Sequence, residues 1–260
     1  MAVAPSPSEI FERATQEGRR RLEMPPLEQV ATGFIAGVTI VFGIVALGVV
    51  EGLAKPGLGE GVAAIGGALA FGVGLVFLIV GRTELFTENF FDPVAVAIQQ
   101  EQRSVWLKLG RLWGTILVLN LVGGVVLTAI MTIPGALPAG ASDALVVVAE
   151  DIAAKTWMAT LARAVMAGAL ITLLSYLLEA CDTVAARIPV AYMVGVVLAL
   201  GPFDHVIVSA LHLLFGVFLS DKVGYLDVLS NIGVATMGNV LGGVLLITLT
   251  HTAQVRSERA

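Results

Sequence analysis

The chain has 260 residues, of which 57% are hydrophobic and only 13% are charged, and its formal net charge is −5. A soluble globular domain carries about 25% charged residues, so this composition excludes a soluble enzyme as the default and also a disordered chain. The acidic balance, without a long basic stripe, argues against nucleic-acid binding. The composition is that of a polytopic α-helical membrane protein.

Residues 1–27 are predicted to form a short helix outside the bilayer. Ser6 and Glu9 have the spacing of a capping box, and Pro7 suits the first helical turn. Pro25 and Pro26 are predicted to end this helix before the membrane. The segment lacks the apolar stretch of a signal peptide, so we expect it to be retained, either as a tether on the surface or as a gate.

Six spans are predicted within residues 28–252, with a cytoplasmic tail over residues 253–260. An uncharged segment needs about 20 residues to cross the bilayer core. The predicted spans cover residues 29–50, 61–81, 112–142, 157–179, 188–219 and 228–250. Lysine and arginine are concentrated at both termini and in the loops near Arg103 and Arg187, which predicts that both termini are cytoplasmic.

Two similar segments indicate an internal repeat. Residues 120–127 read NLVGGVVL in the third span, and residues 239–246 read NVLGGVLL in the sixth. Their spacing aligns Leu85 with Asp204 and Phe86 with His205, so two abnormal sites correspond. A duplication of three spans per half predicts inverted halves, with the substrate site at two broken helices.

The first abnormal site follows the second span, where Arg82, Glu84 and Glu88 come directly after an uncharged stretch. Charges at the bilayer centre are costly, and irregular backbone there needs protein or a water-filled cavity around it. We therefore predict a broken helix, with Asp92 capping its second half. The alternative is a span that simply ends at Gly81.

The second abnormal site interrupts the fifth span, where Gly201-Pro202 breaks the helix and Asp204 and His205 follow. We predict that Asp204 caps the following half-helix and that His205 lies in its first turn, lining a pore. The alternative is a histidine satisfied in the core. His212, two turns further on, lies on the same face and either lines the same route or packs between helices.

Leu85-Phe86-Thr87 at the first break, paired with Asp204-His205 at the second, resembles the formate/nitrite transporter family. Residues 82–89 are most similar to its YfdC-like branch. The resemblance covers residues from about 28 to 255. It implies an all-α, aquaporin-like protomer of six transmembrane helices, with an inverted 3+3 repeat and broken second and fifth helices. It further implies a homopentamer in the inner membrane.

The resemblance also implies roles for individual residues. His205 matches the central pore histidine and Asp204 stands where the family usually has Glu. Lys155 corresponds to a lysine that attracts the anion, and Gly168 to an asparagine of the fourth span. The implied constriction and loop residues are Phe71, Leu75, Leu85, Phe86, Thr87 and Leu198, the last standing where Phe is usual.

The function implied by this resemblance is transport of small monovalent anions of weak acids, of the formate or nitrite type, with proton exchange at His205. Two alternatives remain open: a channel for small neutral solutes and a non-transporting membrane scaffold. An enzyme is not expected, because the sequence has no nucleophile motif, metal cluster or phosphate-binding loop. No cofactor is expected either, and whether Arg82 lines the pore is left open.

Overall fold

The computed structural model describes residues 4–138 and 140–258, and the described residues form helices joined by short connections. Residues 1–3 of the predicted N-terminal segment, residue 139 within the predicted third span and residues 259–260 of the predicted tail lie outside that description. The elements in chain order are α1 (Pro7–Glu23), α2 (Pro26–Val80), a 3₁₀ turn (Phe86–Phe90), α3 (Asp92–Gln100), α4 (Arg103–Met131), α5 (Ala141–Ala153), α6 (Trp157–Glu179), α7 (Val184–Leu200), α8 (Val206–Leu219), α9 (Tyr225–Val240), a π-helical segment (Leu241–Thr248) and α10 (Leu249–Glu258).

The all-helical membrane architecture predicted from the sequence is confirmed. Within the described residues four helices are long and apolar enough to cross a membrane, and α7 and α8 are shorter apolar helices. The 55 residues of α2 would extend for about 80 Å if straight, which is enough for two crossings. Gly59, with a φ of 79°, interrupts the helical backbone between them. The first two predicted spans are therefore the two parts of α2.

The predicted third span is wrong at both ends. Helix α4 begins at Arg103 and ends at Met131, and Pro134, Gly135 and Pro138 lie in the turn that follows. A separate helix, α5, then follows, and apart from Ala141 and Ser142 its residues had been assigned to no predicted span. Its acidic residues place it outside any uncharged run, which is why hydropathy alone missed it. The predicted tail is also largely helical, because α10 continues to Glu258.

Both predicted helix breaks are present. After α2 the chain stays buried from Glu84 to Asp92, which rules out an ordinary surface loop. Asp92 begins α3 but does not cap it, because the cap position is Phe91 and makes no side-chain hydrogen bond. The carboxylate of Asp92 instead lies 3.5 Å from the guanidinium of Arg21.

Helix α1 has the predicted capping box, in which Ser6 accepts from the N–H of Glu9 and Glu9 accepts from the N–H of Ser6. It packs against α3 at Gly18, where a Cβ atom would overlap the carbonyl oxygen of Asp92. Arg20 donates to the buried Glu84 at 2.7 Å. The helix is thus held against the first break by both close backbone contact and charge.

The same helix crossing occurs in both halves of the chain. Gly37 on α2 lies against the backbone of Asn120 on α4, and Gly168 on α6 lies against the backbone of Asn239 on α9. In each case a Cβ atom on the glycine would overlap the asparagine carbonyl oxygen. Small residues allow such close approach of membrane helices. These crossings hold the two asparagines next to the two breaks, while the inverted orientation of the halves stays a prediction.

Candidate functional site

A cavity of about 270 Å³ lies beside the second helix break. We call it the His205 cavity. Its lining combines apolar side chains with ionisable ones, drawn from α2, α5, the turn after α5, α6, α7, the second break and α8. The lining side chains on which the argument depends are Glu51, Phe71, Asp151, Lys155, Arg163, Leu198, Asp204, His205, Ser209 and His212.

His205 is almost fully buried, with 1% of its surface exposed. It is the N-cap residue of α8, a position that the sequence analysis had assigned to Asp204. Its Nδ1 atom accepts a hydrogen bond from the N–H of Val208 at 3.4 Å, and its Nε2 atom lies 2.6 Å from Oγ1 of Thr87. Because Nδ1 accepts, the neutral ring carries its hydrogen on Nε2, which then donates to Thr87.

Asp204 does not cap α8 because it is engaged elsewhere. Its Oδ1 atom forms an ion pair with the ammonium group of Lys155, and its Oδ2 atom has no partner among the described residues. Both side chains are largely buried, which strengthens their mutual attraction compared with a pair in water. Its backbone N–H donates to the carbonyl oxygen of Arg163 at 3.3 Å, so the break is tied to the start of α6.

Asn239 holds the second break in place through three hydrogen bonds. Its Oδ1 atom accepts from the N–H of Val206 at 2.9 Å. Its Nδ2 atom donates to the carbonyl oxygen of Asp204 at 3.0 Å and to that of Ala164 at 2.8 Å. A helix break leaves backbone groups without intrahelical partners, and one amide side chain here satisfies a carbonyl oxygen within the break and an N–H at the start of α8.

Asn120 makes the equivalent bonds at the first break. Its Oδ1 atom accepts from the N–H of Phe86 at 2.9 Å, and its Nδ2 atom donates to the carbonyl oxygens of Glu84 at 2.9 Å and Gly33 at 2.8 Å. Glu84 therefore corresponds to Asp204, and Phe86 to Val206. The register predicted from the sequence, which aligned Leu85 with Asp204, is shifted by one residue.

The predicted site residues divide into two groups. Phe71, Leu198, Lys155, Asp204 and His205 lie together on the His205 cavity. Leu75, Leu85, Phe86 and Thr87 are buried, and of these Thr87 contacts His205 directly.

Gly168, which the resemblance matched to an asparagine of the fourth span, is not among the residues that line the His205 cavity. It lies at the crossing of α6 with α9, against the backbone of Asn239. A larger side chain there would meet the backbone of α9, so no asparagine could take its place without moving a helix. Arg82 lies outside the His205 cavity, and 71% of its side chain is exposed.

Several residues of the site were not predicted from the sequence. Glu51, Asp151 and Ser209 line the cavity. Each lies at the end of a hydrophobic run or within one, where hydropathy does not indicate which way a side chain faces. Arg163 was the one visible signal, because it is a basic residue within the fourth predicted span, residues 157–179. Asn120 and Asn239 were visible as the first residues of the repeated segment, although their role at the breaks was not predicted.

A second, smaller cavity of about 50 Å³ lies beside the first break, where α1 packs on the chain. Two arginines of α1 reach into it. Arg21 lies 3.3 Å from a carboxylate oxygen of Glu84 and donates to the backbone carbonyl of Glu88 at 3.1 Å. The cavity is therefore lined by buried charges of both signs that pair with one another.

Comparison with known proteins places this geometry in a family. The sequence model described as "Formate/nitrite transporter" matches residues 8–253. The inner membrane protein YfdC of Escherichia coli (strain K12) is 28% identical, with 96% of this chain and 79% of YfdC covered. A probable formate transporter of Methanothermobacter thermautotrophicus is 27% identical, with 95% of each chain covered.

Solved structures agree on the fold. An FNT family ion channel superimposes with a TM-score of 0.80 at 17% identity, covering 94% of this chain and 98% of that chain. A pentameric formate channel with formate bound gives a TM-score of 0.73 at 19% identity, covering 86% of this chain and 95% of that chain. The family match over nearly the whole chain and the shared fold lead to one conclusion: the chain belongs to the formate/nitrite transporter family.

Proposed function

We propose that this protein is a membrane channel or transporter for small monovalent weak acids of the formate and nitrite type, with His205 at the centre of its pore. The observation that carries the proposal is the placement of His205, buried at a helix break between Thr87 and the His205 cavity. A polar ring at such a depth is costly without a function. The names of the related proteins, which refer to formate transport, support the substrate class.

The charges of the His205 cavity favour the neutral form of the substrate over the bare anion. Three carboxylates, those of Glu51, Asp151 and Asp204, face only two basic side chains, Lys155 and Arg163. The positive charge of Lys155 is moreover offset by Asp204. An anion alone would also pay a large desolvation cost beside apolar side chains. Passage as the undissociated acid avoids both costs.

Proton exchange at His205 would require a local rearrangement. A second hydrogen on the ring must go to Nδ1, which holds the N–H of Val208. Protonation of His205 therefore costs the cap of α8. We infer that His205 acts through Nε2, which can turn its hydrogen bond from Thr87 to a passing carboxyl or nitrite oxygen. This keeps the helix start intact while the permeating molecule is contacted.

We further propose that the protein is a homopentamer in the inner membrane, with both termini in the cytoplasm. The name of the inner membrane protein YfdC supports the location. The name of the pentameric formate channel supports the assembly. Exposed apolar side chains along the spanning helices, such as Ile35, Phe42, Val118 and Leu245, support contact with lipid or with further subunits.

The test is stopped-flow flux with purified protein in liposomes. Formate, nitrite, acetate and lactate are compared with glycerol as a neutral solute. We expect saturable flux of the weak acids and none of glycerol. The His205→Asn variant keeps a good cap residue but loses the imidazole, and we expect it to lower the flux. Glycerol flux comparable to that of formate would support the neutral-solute channel instead, and no flux of any solute would support a scaffold.

A further inference from the structure

His212 lies on the His205 cavity with one ring nitrogen unused. The residue is 5% exposed, and its Nδ1 atom lies 2.9 Å from the carbonyl oxygen of Val208. A carbonyl oxygen only accepts hydrogen bonds, so Nδ1 must carry a hydrogen. In the neutral ring, Nε2 is therefore a bare lone pair. This Nε2 atom is buried and has no hydrogen-bond partner among the described residues.

The two histidines of the cavity are thus prepared for different tasks. In His205 both ring nitrogens are engaged, and a further proton would break the start of α8. In His212 the free nitrogen can take a proton without breaking any bond of the protein. Its hydrogen bond to Val208 is made in both the neutral and the charged form, so protonation needs no movement of the helix.

We propose that His212 is the proton-binding side chain of the pore: it takes a proton on Nε2 from water in the His205 cavity and passes it to an incoming weak-acid anion. The proposal rests on the proposed function and names the residue that converts the anion into the neutral acid. The hydrogen on Nε2 first donates to an oxygen of the anion. The proton then transfers, leaving neutral His212 and the undissociated acid, and His212 regains a proton from a hydronium ion in the water on the same side.

Charged groups from several helices and connections surround the cavity and affect how readily His212 is protonated. The ionisable side chains other than His212 that line it are Glu51 from α2, Asp151 from α5, Lys155 from the turn after α5, Arg163 from α6, and Asp204 and His205 from the break. The carboxylates stabilise a positive ring, whereas the basic groups oppose it. With Lys155 paired to Asp204, Glu51 and Asp151 face the single further charge of Arg163.

Position along α8 supports a division of labour. His212 lies two turns beyond His205 on the same helix face, about 10 Å further along the axis. The proton-binding site is therefore separated from the contact between His205 and Thr87. An acid neutralised at His212 can then move past Phe71 and Leu198, which are apolar and offer an anion no partner. The acid anion is thus protonated first, and the neutral acid crosses the apolar region afterwards.

Proton binding can be read directly by nuclear magnetic resonance. The chain contains 3 histidines, so ¹⁵N-histidine labelling of the full protein in nanodiscs gives a small, assignable set of ring signals. We expect Nε2 of His212 to take up a proton as the pH is lowered through the range in which the protein stays folded, and its signal to shift when sodium formate is added. We expect His205 to stay neutral over the same range. A His212 ring that stays neutral throughout, or a titrating His205, would overturn the proposal.

Transport by variants gives the second test. In His212→Gln the side chain still forms hydrogen bonds but cannot carry a proton. In the wild type we expect formate flux into liposomes to rise at low pH by more than the concentration of undissociated acid rises. The variant should lose this excess and follow the concentration of undissociated acid alone. The matched control is His251→Gln, since His251 is stacked on Tyr176 away from the cavity. A wild-type pH profile in His212→Gln would contradict the proposal. Absence of weak-acid flux in the wild type would instead contradict the proposed function, while the resonance titration would still report on His212.

Discussion

At the residue scale, two amide side chains replace the backbone partners that the broken helices lack. Asn239 and Asn120 each make three hydrogen bonds, two to backbone groups at a break and one to a carbonyl oxygen of a neighbouring helix. The hydrocarbon region of the bilayer has no hydrogen-bonding groups to replace them. The sharp turns that carry Thr87 and His205 therefore depend on side chains far away in the sequence.

We expect Asn239→Ala to destabilise the protein strongly. Each buried backbone group left without a partner costs about 1–3 kcal/mol, and this substitution frees the N–H of Val206 and the carbonyls of Asp204 and Ala164. Thermal unfolding in detergent, followed by tryptophan fluorescence, should show a large decrease in the unfolding temperature. The control is Asn231→Ala on the same helix, whose Oδ1 atom makes no hydrogen bond with any described residue. Equal losses in both variants would show that the bonds at the break are not what matters.

The buried ion pair between Lys155 and Asp204 allows a second prediction at this scale. Removing one partner leaves an uncompensated charge, which costs about 3–5 kcal/mol when the site is buried. Lys155→Met should therefore destabilise more than the double variant Lys155→Met/Asp204→Asn, in which both charges are gone. Denaturation midpoints of the two variants provide the comparison.

A second ion pair on the surface serves as the control for this experiment. Lys222 and Glu150 are 2.8 Å apart, but 69% of the Lys222 side chain is exposed. An exposed pair of this kind contributes about 0–1 kcal/mol, so Lys222→Met should have little effect. A single Lys155→Met variant as stable as the wild type would indicate that Asp204 is neutral or otherwise compensated.

At the scale of elements, α1 is an amphipathic helix that is held against the first break by its arginines. Glu17 accepts from Arg20 at 2.6 Å and lies 3.4 Å from Arg21, while both arginines reach Glu84. Burial by itself raises the pKa of Glu17, but the hydrogen bond from Arg20 and the charges of Arg21 and Arg82 outweigh it and lower the pKa to about 2. Glu17 thus keeps its negative charge while it orders the two arginines.

This shift predicts a pH dependence for the docking of α1. Because the folded pKa of Glu17 is lowered from 4.5 to about 2, its contribution is complete above pH 4.5 and is lost as the pH falls towards 2. Spin labels at Glu12→Cys and the native Cys181 can report the distance between α1 and the α6–α7 connection. We expect the distribution of this distance to be unchanged by pH above about 4.5 and to broaden at lower pH.

The Glu17→Gln variant isolates the contribution of this carboxylate. It cannot change charge, so it should show the broadened distance already at neutral pH, and its difference from the wild type should shrink as the pH falls. Other carboxylates also titrate in acid, and the comparison at each pH removes their shared effect. Identical distances for wild type and variant at neutral pH would mean that α1 is held by its packing alone.

At the scale of the whole molecule, the outer surface is apolar along almost every spanning helix. Large exposed side chains such as Phe77, Ile130 and Leu226 cannot face water in such numbers. Lipid or further copies of the chain must cover them. We expect native mass spectrometry in mild detergent to show five copies of the chain, and a stable monomer as the sole species would contradict the pentamer.

Several features followed from the sequence by itself. The low charge and the long uncharged runs determined a helical membrane protein, because only helices or closed barrels satisfy the backbone in lipid. Gly201-Pro202 located the second break, since proline removes a backbone donor. His205 stood out because a polar ring in an apolar run is costly. The Ser6–Glu9 capping box was also correct, because it depends on neighbours in the chain.

What only the tertiary structure decided are the partners of the polar groups. Asp204 was expected to cap α8, but it forms an ion pair with Lys155 from the turn after α5. His205 is the cap residue instead. The roles of Asn120 and Asn239, and the free nitrogen of His212, likewise arise from helices that meet across the fold. The physical reason is that apolar helices carry little amphipathic pattern. A sequence of this kind shows which polar residues need a partner, and only packing shows which partner each one finds.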